Sequence, residues 1–207
     1  MLLRLLTFLC LVVVAESEHA WINEFHYRNY RQDRNLFIEI AGPAHHEAWR
    51  YLLIMYQGRD GIQFHDGISL SGLNFTDSFD GDIGFIAYHI PSYGAIRNGK
   101  KHGDGIALVY NSVCVQFICY GEYNNETFTA TTGPCKDQMC QNIGVHEARD
   151  NPAGNSLQME GEGRLMNDFT WHNEPIPWTP GRSNTGQLLL SSEEDVSHVV
   201  VPCHERC

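Results

Sequence analysis

Apolar and polar residues alternate along most of the chain, in short runs. Period two appears in Trp21–Tyr27, Leu36–Ala41, Tyr51–Tyr56, Ile62–His65, Ile83–His89, Ile106–Tyr110, Val113–Tyr120, Thr127–Ala130, Ser156–Glu160 and Asp168–His172. Gly, Asn and Asp break the runs, as expected of residues that favour tight turns. Such alternation describes a half-buried strand. About ten short strands at roughly even spacing predict an all-β sandwich or barrel. Asn111-Ser112 separates two of the runs and predicts a hairpin. No window sustains helical spacing, although His45-His46-Glu47-Ala48-Trp49 could form one helical turn.

The two ends depart from this pattern. Residues 1–15 read as a secretory signal peptide: Arg4 is a short basic region, Leu5–Val14 is apolar, and Val13 and Ala15 suit a cleavage site. The run is shorter than the roughly 20 residues that cross a bilayer. No later segment reaches that length, so the expectation is a secreted, extracellular protein with no membrane span. At the other end, Pro175, Pro177, Pro180 and Gly181 mark an irregular stretch. The reading is one domain over 20–187, followed by an acidic, Cys-containing extension over 188–207.

Charge narrows the partners. Fourteen Lys and Arg face 25 Asp and Glu, a net charge of -11. Loss of Arg4 with the leader makes it one unit more negative. A nucleic-acid backbone needs a basic face, so nucleic acid is an unsuitable partner. Hydrophobic residues form 43% of the chain, enough to bury a core.

Cysteine usage agrees with export. Cys10 leaves with the leader; Cys114, Cys119, Cys135, Cys140, Cys203 and Cys207 remain. An even number in a secreted chain predicts disulfides, and no C-x-x-C pair points to zinc. Cys114 and Cys119 are five positions apart in one predicted strand, roughly 16 Å if extended, and on opposite faces. They are therefore expected to pair with Cys135 and Cys140, in either order. Cys203 would pair with Cys207 or with another chain, as in a disulfide-linked dimer. Sequons at Asn74 and Asn125 are N-glycosylation candidates.

An ordered series of segments carries a resemblance. It begins with Trp21-Ile22-Asn23-Glu24-Phe25-His26-Tyr27 and Phe37-Ile38-Glu39-Ile40-Ala41-Gly42-Pro43-Ala44. It continues through Asp104–Val109, Val115–Ile118, Phe128–Ala130, Ile143–Val145, Ser156–Gln158 and Asp168–Trp171, and closes on Pro180-Gly181 and Asn184-Thr185-Gly186. The series resembles the lamin-tail-domain superfamily, in particular its secreted, bacterial-type extracellular branch, over most of residues 20–187. The resemblance implies an immunoglobulin-like β-sandwich, a fold used by nuclear lamins as an interaction module. In bacterial secreted proteins the domain often accompanies a separate nuclease or phosphatase. Arg28 stands where the family usually has an acidic residue, Asn35-Leu36 replaces a usual Gly-Glu, and the cysteines are additions. About 20 residues follow Gly186, so hydrolase activity from the larger architectures is not expected to carry over.

The candidate chemistry is sparse. Glu24 shares a strand face with Ile22 and His26, and Glu39 with Phe37. If the two strands adjoin, the pair could bind a cation or share a proton, or it could accept backbone N–H groups and fix loops. Asp77, Asp80 and Asp82 form a weak calcium candidate without EF-hand spacing. The 11 histidines, at 19, 26, 45, 46, 65, 89, 102, 146, 172, 198 and 204, show no metal-site spacing. No G-x-S-x-G or P-loop occurs. No metal or cofactor is expected. Loop aromatics Tyr27, Tyr30, Trp49, Tyr93 and Tyr123 are candidate anchors for an extracellular protein or matrix partner. The expectation is a non-catalytic binding or adhesion module. The alternative is a metal-dependent extracellular hydrolase, nuclease- or phosphatase-like, built on Glu24 and Glu39.

Overall fold

A computed structural model of the chain describes residues 19–30, 32–77, 82–91, 96–99, 101–122 and 127–191. The expected leader, Tyr93, Tyr123, Asp80, Asn125, Cys203 and Cys207 lie outside the described residues. The alternating runs become strands because one face of each finds apolar partners. In chain order these are β1 (Trp21–His26), β2 (Phe37–Pro43), β3 (Tyr51–Gln57), β4 (Ile62–Gln63), β5 (Ile68–Ser69), β6 (Thr76–Asp77) and β7 (Ile83–His89). They are followed by β8 (Asp104–Tyr110), β9 (Val113–Tyr120), β10 (Gln141–Asn142), β11 (Asn155–Gly163), β12 (Phe169–Trp171), β13 (Ile176–Pro177) and β14 (Gln187–Leu189).

The strands form two sheets. One runs β12-β11-β1-β2-β7-β6, with β13 and β14 also paired to β11. The other runs β10-β9-β8-β3-β4, with β5 also on β3. The sheets face each other across an apolar core. Ile22, Phe25, Ile38, Ile40 and Leu157 of the first meet Leu53, Met55, Ile106, Leu108 and Ile118 of the second. The fold is thus an all-β sandwich stabilised by disulfides. The expected hairpin joins β8 and β9, with Asn111 and Ser112 both at positive φ, 48° and 68°. Two successive positive-φ residues follow the strand twist.

Some expected elements shrink. Thr127–Ala130 contributes only an isolated bridge, Thr129 to Met139. The run at Ile62 ends at Gln63, and the run at Asp168 is a short 3-10 turn followed by β12. The helical turn near Trp49 is a 3-10 turn over Ala48–Arg50. β14 carries the fold through Leu189, just past the expected boundary at 187.

The second sheet also buries its outer face. Ile54, Tyr56, Ala107, Val109 and Phe117 lie beneath a segment carrying Ala130, Cys135 and Cys140. Backbone bonds dock this cover: Cys135 N–H donates to Tyr56 Oη at 3.2 Å, and Thr131 N–H to Gly61 O at 2.8 Å. Gly61 has φ of 68°, and a Cβ there would run into the Thr129 carbonyl. Disulfides Cys114–Cys135 and Cys119–Cys140 close the cover. The pairing agrees with expectation, but its geometry corrects one premise. Against β8 the register slips, so Leu108 faces Gln116 while Val109 faces Cys114. The extra residue, Val115, reverses the alternation. Cys114 and Cys119 therefore meet the same outer apolar cluster instead of opposite faces.

Each bridge spans 21 positions, and closing a loop of that size stabilises by about 3 kcal/mol. Cys119→Ser with Cys140→Ser should lower unfolding free energy by about 2–4 kcal/mol in urea melts. Peptide mapping without reductant should recover Cys114–Cys135 and Cys119–Cys140 peptides; crossed pairs would contradict this packing.

Candidate functional site

The site begins with an irregularity in β1. Against β2, Ile22 pairs with Ile40, but the next pair is Glu24 with Glu39, so Asn23 is a bulge residue. A bulge reverses alternation. Ile22 and Phe25 consequently point into the core, whereas Glu24 and His26 lie on the opposite face. The expected pairing of Glu24 with His26 on one face holds; its pairing with Ile22 does not. Strands β1 and β2 do adjoin, with Glu24 and Glu39 directly cross-strand.

A C-terminal strap, residues 178–187, covers this face. Glu24 accepts hydrogen bonds from Ser156 Oγ at 2.5 Å, Thr179 N–H at 2.9 Å and Thr179 Oγ1 at 3.0 Å. Glu39 accepts from Asn23 Nδ2 at 3.1 Å and Gly181 N–H at 2.5 Å. Between β1 and β11 the ladder opens after the pair Glu24–Gln158. Asn184 fills that gap: its Nδ2 donates to Asn23 O at 3.0 Å and Met159 O at 2.9 Å. Gln187 Nε2 donates to Asn23 Oδ1 at 2.7 Å.

Both carboxyl groups have zero exposure. Burial raises Glu39 to about 8, and the neighbouring Glu24 charge adds to the effect. Burial also raises Glu24, opposed by its bonds to Ser156 and Thr179. Burial beside Glu24 thus favours the protonated form of Glu39. With their oxygens occupied by donors from the chain itself, the two carboxyls clasp the strap onto the sheet.

A second buried pair lies along the same face. His26 Nδ1 is 2.6 Å from Glu147 Oε1. The other Glu147 oxygen accepts from the N–H groups of Tyr27 at 2.8 Å and Arg28 at 2.7 Å. Burial raises Glu147, while the Glu147 contact raises His26 against its own burial. The pair as a unit holds its proton more tightly than separate side chains would. Trp178 links the centres, lying edge-on to His26 with ring centroids 5.8 Å apart and preceding the Thr179 that binds Glu24.

The remaining candidates scatter. Tyr27 is not a loop anchor but fully buried in the core; its Oη accepts from Glu147 N–H at 2.9 Å. Tyr30 and Trp49 are 58% and 56% exposed, at opposite ends of the sandwich, because one follows β1 and the other precedes β3. Arg50 stacks on the Trp49 ring at 4.6 Å. Asp77 lies in β6 and Asp82 immediately before β7. Asn74 is exposed. Among the described residues no group of three or more His, Cys, Asp or Glu is placed to hold a metal ion.

Sequence reasoning did not single out Glu147. It also missed a cleft of about 520 Å³ between the loops 144–154 and 172–175. Asn151 belongs to both features: it lines the cleft, and its Nδ2 lies 3.4 Å from Glu147 Oε1. No family model, curated protein or solved structure matches the chain.

Two outcomes follow from the clasp. Between about pH 4.5 and 8 the folded chain keeps a proton on Glu39 that the unfolded chain has released. Folded stability should therefore fall as pH rises through that window, by at most about 1.4 kcal/mol per pH unit for one proton. Glu39→Gln should make the decline shallower in urea melts across the window; an unchanged slope would place the proton elsewhere. Asn184→Ala leaves two buried carbonyls unpaired and should cost about 2–4 kcal/mol by the same measurement.

Proposed function

We propose that the chain is a secreted, lamin-tail-like module of the immunoglobulin-like type that binds an extracellular protein or matrix partner and performs no catalysis. The observation that carries this reading is the burial of Glu24 and Glu39, the acids on which a hydrolase would rest. Both have zero exposure, and the strap backbone occupies Glu24 through Thr179 and Glu39 through Gly181. A catalytic acid or base must reach the proton it transfers, whereas these groups reach the chain's own N–H donors. Two intramolecular disulfides fit an oxidising compartment. No helix among the described residues is long and apolar enough to cross a membrane. Exposed Asn74 fits a glycan acceptor in that setting. Trp49, presented on a 3-10 turn with Arg50 over its ring, supplies the amphipathic surface that interfaces favour.

The test has two arms. The full chain, assayed with nucleic-acid, phosphoester and glycoside substrates in the presence of divalent cations, should show no turnover. Turnover abolished by Glu24→Gln in a folded variant would overturn the reading. Retention on immobilised extracellular-matrix extract should weaken in Trp49→Ala by about ten-fold, the scale of one interface anchor, with the melting temperature unchanged.

A further inference from the structure

The walls of the cleft between the loops 144–154 and 172–175 are fixed by bonds within the chain. Glu147 pins the first loop to the end of β1 through His26, Tyr27 and Arg28. Asn155 Nδ2 donates to Pro175 O at 3.0 Å and ties the second loop to the first. Backbone bonds Asn151 N–H to Ala148 O and Asn155 N–H to Pro152 O close turns within the first loop, at 3.1 and 3.2 Å. The walls are thus set before any ligand arrives, which lowers the ordering cost of binding.

The lining has a definite chemistry. Asn151, Asn155 and Asn173 line the space together with Asp150, Glu174 and His146. The Nδ2 groups of Asn151 and Asn155 are engaged by Glu147 and by Pro175 O, and Asn173 is the exposed amide of the set. None of the lining side chains is Lys or Arg. An amide offers a donor and an acceptor on one planar group, and a carboxylate accepts from two donors at once. Sugar hydroxyls both donate and accept, so amides and carboxylates together satisfy them. Pro152 and Pro175 add apolar wall for the C–H face of a ring. An anionic ligand would meet two carboxylates and no Lys or Arg, with His146 as the one basic side chain of the lining. The volume, about 520 Å³, lies in the range of small-ligand sites.

Resting on the binding-module reading above, we infer that this cleft is a recognition site for a neutral polyhydroxylated ligand, a pyranose unit of an extracellular glycan. The probes are methyl pyranosides of neutral hexoses and of N-acetylhexosamines, titrated into the full chain by calorimetry and by saturation-transfer NMR, at low and at high salt. At least one should bind with an affinity insensitive to salt. Asn173→Ala, a change at an exposed position, should weaken that binding about ten-fold through the lost hydrogen bonds and leave the melting temperature unchanged. Glu174→Gln, which keeps an acceptor oxygen, should retain binding within a few-fold. If no pyranoside binds, or if Asn173→Ala binds as well as the parent, the assignment is overturned. Capture of a basic peptide that fades with salt and is lost in Glu174→Gln would overturn it in favour of a cationic ligand. Matrix retention without pyranoside binding would sink this assignment alone, whereas Glu24-dependent turnover would sink the binding-module reading beneath it.

Discussion

One extra residue in β1 governs the outer face of the first sheet. Without the bulge at Asn23, Glu24 would follow the alternation of Ile22 and point into the apolar core. There an unpaired carboxyl would cost several kcal/mol, and neutralisation would relieve only part of it. With the bulge, Glu24 moves to the outer face and meets Glu39 directly across β2. The same irregularity leaves the ladder between β1 and β11 open, and the carbonyls of Asn23 and Met159 then need donors from elsewhere. Asn184 supplies both from a single amide. The strap is thus the partner that the bulge makes necessary, and neither feature is satisfied alone.

The two outer faces solve the same problem by different chemistry. Each sheet is apolar on its inner side and partly apolar on its outer side, and each needs a cover. Over the second sheet the cover is apolar and covalently closed, with Cys114–Cys135 and Cys119–Cys140 beside Ile54, Tyr56 and Val109. Over the first, an apolar patch of Trp21, Phe85, Met159 and Phe169 borders the clasp of carboxyls and amides. A disulfide acts largely by limiting the unfolded chain, so it holds its cover at any pH. The clasp acts in the folded state through buried groups whose proton affinity is raised, Glu39 by burial and by Glu24, and Glu147 by burial, and so its stability depends on pH. Buried carboxyl groups side by side are tolerable because one of them stays neutral.

Much of this was legible in the sequence and some was not, for physical reasons. β1, β2, β3, β7, β8, β9 and β11 appear as alternating runs because each has one face on the core. The β8–β9 turn was legible because Asn and Ser tolerate the positive φ it requires. Both bulges were hidden, since a bulge is set by cross-strand register and leaves the local pattern almost unchanged. The faces of Glu24 and of Cys114 were therefore misread, while the disulfide partners were not. Glu147 was invisible because it meets Tyr27 across 120 positions from a loop without periodicity. Tyr27 was read as a loop residue although it continues the inward phase of Phe25, and its ring is in fact core. β13 and β14 are too short for alternation to register, so the strap looked merely irregular.

The placement of the ionisable groups bears on where a ligand can act. Glu24, Glu39, His26 and Glu147 are fully buried and engaged in fixing the strap and the loop 144–154 to the sheet. The proposed recognition surfaces therefore lie on loops at the two ends. Those ends are separated by the length of β2, seven residues or roughly 24 Å. Tyr30 and the cleft share the end where β1 finishes and β11 begins; Trp49 sits at the other. A ligand of one or two rings engages one end only, and a partner touching both must run the length of the sandwich. The rigidity of the cleft comes from the same Glu147 that closes the face beneath it. In the binding reading proposed above, the buried network contributes by holding a surface still, and that surface, not the buried acids, is the one offered to a partner.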